Sequence, residues 1–310
     1  MSIIFLADPI ESMVIEKDTT FALMNAAINR GHTVYHAGAT DIRATHNAVE
    51  VVSKCVSIKN ETITTDKPVK LKDSEIRAIV IRLEPPFDQT YLRATWLIDQ
   101  IKTPVFITNT THGLRTVNEK LWALQFSNCI PHTVVTACKI QFMAVLSELK
   151  TVILKPTDAF GGQGIFKLTE SDSNAGVAFE VLSQNGKQPV IIQAYIPEAN
   201  EGDKRILLLN GDILGAVMRI HCGGEHRNNL FAGGRVEPAT VTDRDRHIVS
   251  VIKPKLIELG LHFVGIDILG DQLIEINVTS PTCIREMSRF QNTDLANDVI
   301  RMIEANISQL

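Results

Sequence analysis

Between Val264 and Val278 the sequence alternates apolar and polar side chains twice over, and this double alternation restricts the fold more than any other segment. In Val264-Gly265-Ile266-Asp267-Ile268-Leu269, the residues Val264, Ile266 and Ile268 share one side of a strand. In Leu273-Ile274-Glu275-Ile276-Asn277-Val278, the residues Ile274, Ile276 and Val278 do the same. Gly270-Asp271 between them reads as a hairpin turn. If both apolar rows face one core, the opposite face gathers Asp267, Glu275 and Asn277. A plain two-residue loop would pair Asp267 with Ile274 and turn one row the wrong way. The pattern therefore predicts an odd-length loop or a bulge.

Two carboxylates and an amide on one face are hard oxygen donors. They suit Mg2+, which keeps few protein ligands and fills its shell from water and phosphate. The competing account is an outer face that is merely solvated. The following Thr279-Ser280-Pro281-Thr282-Cys283-Ile284-Arg285-Glu286 weighs against it, because this polar turn delivers an arginine beside the carboxylates.

A second set of residues suits phosphate. Leu154-Lys155-Pro156 ends a strand with a lysine, and Phe160-Gly161-Gly162-Gln163-Gly164 follows within a few residues. Such a loop can close its N–H groups around phosphate oxygens while the lysine supplies a point charge. No Gly-Lys-Ser/Thr follows the glycines, so this is not a Walker A loop, and an ordinary turn fits the same residues. Gln193-Ala194-Tyr195-Ile196 reads as a strand leaving its cover, either offering a backbone edge to adenine or simply buried.

The first third alternates strands and helices. Strands are expected at 3–7, 33–35, 78–81 and 105–107, with helices from Asp18 or Thr19 to Gly31 and near 91–101. A small hairpin near 49–51 and 62–64 interrupts them. The simplest architecture is an open α/β layer. No GxGxxG follows the first strand, which argues against a dinucleotide site. Thr116-x-x-Glu119 predicts a capping box with Lys120 in the first turn of a helix. Strands and hairpins are expected from Thr151 onward, one turning at Asn210-Gly211, before a terminal helix over about 294–307.

Composition narrows the partners. A net charge of −4 without a basic stripe argues against nucleic acid. No apolar run reaches the roughly 18 residues a membrane span needs. Ile3 to Ala7 lacks a basic leader and reads as a strand rather than a signal peptide. The cysteines (Cys55, Cys129, Cys138, Cys222, Cys283) are scattered and odd in number, which suits a reducing cytoplasm and not a disulfide framework or structural zinc.

Lys120, Lys155, the glycine loop and Asp267 with Glu275-x-Asn277 occur in the order seen in the ATP-grasp superfamily. More closely, Asp8-Pro9, Lys17-Asp18, Arg82 before Pro85-Pro86-Phe87-Asp88, Asn118-Glu119-Lys120-Leu121, Asp203-Lys204-Arg205 and Glu275 through Thr282 resemble the bacterial glutathione synthetases. The resemblance spans essentially the whole chain. It implies an α/β fold: an N-terminal open α/β domain over 1–118, then two ATP-grasp α+β subdomains over 119–187 and 188–310. It implies that γ-glutamylcysteine, glycine and ATP give glutathione, ADP and phosphate, in a homotetramer. It places Mg2+, or Mn2+, on Asp267, Glu275 and Asn277. Phosphates fall to Lys120, Lys155, Gly161, Gly162 and Gly164, and adenine to Gln193, Tyr195 and Ile196. Arg205 and Arg219 are then candidates to hold the acceptor carboxylate and the later oxyanion. Asp18, Arg82, Arg227, Asn229 and Arg285 are candidates to contact the dipeptide or glycine.

The chain departs from the family pattern at Leu83-Glu84, at His226-Arg227-Asn228-Asn229 and at Val236. The glycine-rich stretch from His221 to Arg235 is expected to be a lid, since an acyl phosphate needs shielding from water. Cys283 is read as packing. Two other readings stay open: an ATP-grasp ligase with a different acid and amine, and an ATP-binding module without turnover.

Overall fold

The computed structural model describes residues 1–220 and 235–310, and among these residues three sheets carry the fold. The first holds β1 (Ser2–Ala7), β2 (Thr33–Ala37), β3 (Ile42–Ala44), β4 (Val49–Lys59), β5 (Thr62–Thr65), β6 (Val69–Lys72), β7 (Ala78–Arg82) and β8 (Phe106–Thr108). Their order is β3-β4-β2-β1-β7-β8, with β5 and β6 paired to β4. β1 lies parallel to both β2 and β7, and its residues from Ile3 to Ala7 are buried, as a strand covered on both faces requires. The chain order reverses at β1. The carboxyl ends of β1 and β7 therefore open a crevice of the kind that binds ligands in open α/β sheets.

Three helices belong to this layer: α1 (Thr19–Asn29), α2 (Gln89–Ile98) and α3 (Thr111–Thr116). Asp18 caps α1 by accepting from the Phe21 N–H at 2.7 Å, and Asp88 caps α2 through Thr90 and Tyr91. The capping box expected at Thr116-x-x-Glu119 does not form. Thr116 is the last residue of α3 and its hydroxyl donates back to the His112 carbonyl, so Lys120 sits in a turn and not in a helix.

The middle sheet contains β9 (Thr133–Thr136), β10 (Thr151–Pro156), β11 (Phe166–Thr169) and β12 (Val190–Ala194), in the order β11-β10-β12-β9. The helices α4 (Lys139–Leu149) and α5 (Ala175–Leu182) cover one face. There Phe142 stacks on Phe179 with ring centroids 4.9 Å apart, over Val152, Leu154, Val190 and Ile192. Strand alternation then turns Ile153, Lys155 and Gln193 toward the opposite face. Because β12 pairs with β10, the middle layer runs past the division expected at 187/188.

The third sheet holds β13 (Asp203–Leu209), β14 (Asp212–Ile220), β15 (Arg235–Pro238), β16 (Phe263–Leu269) and β17 (Gln272–Asn277), ordered β15-β14-β13-β16-β17. The turn at Asn210-Gly211 has φ of 51° and 75°, the left-handed pair that a two-residue hairpin favours. One face packs on α6 (Asp243–Glu258) through Ile248, Ile252 and Leu256. The other packs on α7 (Ile284–Gln291) and α8 (Leu295–Ile307), where Cys283 is buried beside Ile284 and Met287. From there α8 reaches back to the first layer, its Val299 and Ile303 joining Leu23 and Ala27 of α1 in one core. The first layer thus packs on the C-terminal helix of the chain. Among the described residues no helix is long and apolar enough to cross a membrane.

The β16–β17 hairpin answers the parity question. Leu269 pairs with Gln272 and Ile268 with Leu273 across a two-residue turn, but Asp267 pairs with Glu275, leaving Ile274 as the extra residue of a bulge. The bulge restores Ile276 and Val278 to the core and brings Leu273 with them. Ile274, expected in that core, instead lines the cleft described next.

Candidate active site

A cleft runs between the free face of the middle sheet and the β16–β17 hairpin. On the middle-sheet wall Lys155 stands next to last in β10 and is 5 % exposed. Its Nζ donates to Gln193 Oε1 at 3.0 Å, and the Gln193 amide in turn donates to Thr133 Oγ1 at 2.9 Å. An ammonium buried with only a neutral amide in hydrogen-bond contact is costly. Burial pushes Lys155 down to about 8, with Lys120 adding to the push and Glu275 and Asp267 opposing it.

The glycine loop follows β10. Gly161 and Gly162 face the cleft with φ of 67° and 75°, values that side-chain-bearing residues rarely adopt. Gly164 does not line the cleft; a Cβ there would press on Pro156 and Leu182 at 3.3 Å. Past the end of β12, Tyr195 and Ile196 continue the wall. The Tyr195 ring lies under Lys167 Nζ at 3.7 Å, and its hydroxyl donates to Asn200 at 3.0 Å.

The opposite wall is acidic and basic at once. On β13, Asp203 and Arg205 are two residues apart and so share a face; they lie across from Arg219 on β14 and Asp267 on β16 respectively. Arg205 grips Asp267 with two nitrogens, Nη2 at 2.8 Å from Oδ2. Arg219 reaches the same Oδ2 at 2.8 Å and also pairs with Asp203, Nε to Oδ1 at 3.0 Å. Burial alone would raise the Asp267 carboxyl, but Arg205 and Arg219 outweigh it and hold the group far below the ordinary carboxylate range. Gly265 makes this packing possible, since a Cβ there would meet Pro281 at 3.0 Å and the Arg205 stem at 3.3 Å.

Asn277 donates to Asp267 Oδ2 at 3.3 Å, and Glu275 takes Lys120 Nζ at 3.0 Å. Lys120 also donates to the Ala159 carbonyl of the glycine-loop segment. The donor set fits a hard divalent ion: two carboxylates and an amide oxygen face one cleft, with Glu275 and Asn277 retaining the freer oxygens. Asp267 already accepts from both arginines and Asn277, so it joins such a shell by sharing with them. Among the described residues no group of three or more His, Cys, Asp or Glu side chains is placed to hold a metal ion.

Not every candidate is gathered here. Asp18 caps α1. Arg82 is buried behind the cleft, its Nε donating to Thr20 at 3.1 Å. Arg285 lies over the Phe21 ring at 5.2 Å and pairs with Glu61 at 2.5 Å. These three form a separate group around the start of α1. It touches the cleft through Glu84, which lines it and accepts from Ser280 Oγ at 2.8 Å. Arg227, Asn229 and all of the expected lid except Arg235 lie outside the described residues; Arg235 pairs with Glu237 at 2.9 Å on an exposed strand. Sequence reasoning missed Glu84, Glu119 and Asp203 as lining residues. The i, i+2 spacing of Asp203 and Arg205 on a strand was the available signal for one of them.

Comparison with known proteins identifies relatives over the whole chain. Residues 1–115 match the family described as prokaryotic glutathione synthetase, N-terminal domain, and residues 119–292 match its ATP-grasp domain. The glutathione synthetase of Synechococcus elongatus is 39% identical over 325 residues, covering 100% of both chains. That of Escherichia coli K12 is 37% identical over 309 residues, covering 97% of each. The solved structure of the D-cycloserine synthetase DcsG superposes with a TM-score of 0.69 over 97% of this chain and 99% of its own, at 15% identity, which speaks to the fold alone. Full-length identity to these synthetases and both matched domains, set on a three-sheet fold with this cleft, show that the chain belongs to the prokaryotic glutathione synthetase family.

Proposed function

We propose that this chain is an ATP-dependent carboxylate–amine ligase that joins γ-glutamylcysteine to glycine and releases glutathione, ADP and phosphate. The observation that carries this reading is the meeting of Lys120, Lys155, Arg205 and Arg219 with Asp267, Glu275 and Asn277 in one cleft between two sheets. A carboxylate acylates poorly because oxide is its leaving group. Phosphorylating it gives an acyl phosphate that an amine can attack, so the protein's task is positioning and charge compensation.

Lys120, Lys155 and the N–H groups of Gly161 and Gly162 hold the phosphates, while Gln193, Tyr195 and Ile196 border the adenine. Gly164 serves by shaping the loop. Arg205 and Arg219, fixed by Asp267 and Asp203, present guanidinium N–H groups to the acceptor carboxylate and then to the tetrahedral oxyanion. The group around Asp18, Arg82 and Arg285, with Arg227 and Asn229, is assigned to the dipeptide or glycine. Asp267, Glu275 and Asn277 would hold Mg2+, with Mn2+ as a substitute, which supplies charge neutralisation to the transferring phosphoryl group. The reading carries with it a cytoplasmic setting, supported by the free thiols of Cys55, Cys129, Cys138 and Cys283, and a homotetramer.

An omission assay tests the substrates. Phosphate release from ATP is expected only when γ-glutamylcysteine and glycine are both present. Release with a different acid and amine reassigns the substrates, and no release with any pair removes the catalytic reading.

Lys155 gives the cleft a pH dependence. A phosphate chain favours the ammonium form, and below pH 8 Lys155 already carries that proton. Above it, nucleotide binding must take up a proton. Affinity for ATP is therefore expected to fall about tenfold between pH 7 and pH 9, following the protonated fraction. Calorimetry across that range measures the fall, and Lys155→Arg should flatten it.

A further inference from the structure

The tripeptide Asn118-Glu119-Lys120 joins the two walls of the cleft. On the glycine-loop side, Asn118 Nδ2 donates to the Thr157 carbonyl at 3.1 Å and Lys120 reaches the Ala159 carbonyl. On the hairpin side, Lys120 pairs with Glu275. Glu119 makes the denser set of contacts. Its Oε1 accepts from Val278 N–H at 2.8 Å, Thr279 N–H at 3.0 Å and Thr279 Oγ1 at 2.9 Å. Its backbone carbonyl accepts from Ile276 N–H at 2.9 Å, and Cys129, ten residues on, accepts from Leu273 N–H at 2.7 Å.

β17 is the edge strand of its sheet, with β16 on one side only. An edge strand has unpaired N–H groups on its open side and no neighbour to fix its end. Here the segment from Glu119 to Cys129 supplies that neighbour. The side chain of Glu119 extends the pairing past Asn277, onto the two residues where the chain leaves the sheet. Glu275 and Asn277 lie within that clamped stretch.

We infer that Glu119 is a positioning residue: its carboxylate fixes the backbone at 278–279 and so holds Glu275 and Asn277 in the geometry that binds a divalent ion. The inference rests on the reading of those residues as metal ligands. What matters is the reach of an acceptor oxygen to three donors; the negative charge is secondary. Outer groups that orient ligands commonly change metal affinity by about 10- to 100-fold when removed.

Substitutions separate reach from charge. Glu119→Gln keeps the reach and one acceptor oxygen but loses the charge, whereas Glu119→Asp keeps the charge and shortens the reach by one methylene. The readout is Mn2+ affinity at saturating ADP, followed by the electron paramagnetic resonance of free Mn2+, with melting temperature recorded beside it. Glu119→Asp and Glu119→Ala are expected to weaken Mn2+ binding by about tenfold or more, with Glu119→Gln within about threefold of the parent protein. If the alanine protein does not fold, the Gln and Asp pair decides. Mn2+ affinity unchanged in Glu119→Asp overturns the inference, as does equal loss in Glu119→Gln, which would mark the charge as the cause. A parent protein that binds no Mn2+ with ADP would instead overturn the metal-ligand reading itself.

Discussion

Glu275→Ala is expected to lower kcat by about two to three orders of magnitude at saturating Mg2+, with the fold intact. The size follows from what the side chain does. Glu275 is a carboxylate on the hairpin wall of the cleft, and its oxygens are less committed than those of Asp267. Removing it takes away charge compensation needed where phosphoryl charge builds, and it frees Lys120 from the carboxylate it pairs with at 3.0 Å. The fold should tolerate the change because Glu275 faces the cleft and, among the described residues, its ion pair is to Lys120, which also donates to the Ala159 carbonyl. Asn277→Ala is expected to behave alike. Steady-state phosphate release with a urea melt on the same preparation separates lost chemistry from lost structure. Near-normal turnover contradicts the assignment of these residues.

Asp267→Ala has the largest expected effect on stability, about 3–5 kcal/mol, because it leaves buried charge without a counter-ion. Arg205 and Arg219 both point at this carboxylate; all three side chains are buried or nearly so, and among the described residues Arg205 pairs with no other carboxylate. Arg219 keeps Asp203, so the full loss falls on Arg205. By contrast, removing an exposed pair such as Lys150–Glu170 should cost about 1 kcal/mol or less. The shift in urea midpoint between the two substitutions is the measure. A midpoint for Asp267→Ala no lower than that for Glu170→Ala would mean that the arginines find other partners, and that Asp267 does not organise this wall.

The parts of the fold that follow local chemistry were legible in the sequence. Asp18, Gly31, Asn210-Gly211 and the Gly270-Asp271 turn act through their own backbone neighbours, and each stands where expected. The bulge was readable too, because side-chain parity on two strands leaves a single solution. Which residue it displaces was not, and Ile274 changed sides. The helix α6 escaped notice because its first turn is charged and Pro254 lies inside it; its apolar stripe has meaning only against Ile206 and Ile266 of the sheet. Glu119 shows the same limit. Its spacing from Thr116 mimics a capping box, but its true partners lie about 160 residues away at 278 and 279. That Lys120, Lys155, Arg205, Arg219, Asp267 and Glu275 line one cleft could be read from strand parity and resemblance, whereas Glu84, Glu119 and Asp203 were not. The separation of Arg82, Asp18 and Arg285 from the cleft could not, since it depends on how α1 and α7 meet.

The central claim is that Asp267, Glu275 and Asn277 gather about one divalent ion beside the nucleotide phosphates. Crystals of the protein grown with Mn2+ and ADP test it through the anomalous scattering of manganese. The account predicts a peak within coordination distance of Glu275 and Asn277, next to Asp267 and against the phosphates. A nucleotide bound in the cleft with manganese absent from that wall, or held by other side chains, would contradict it.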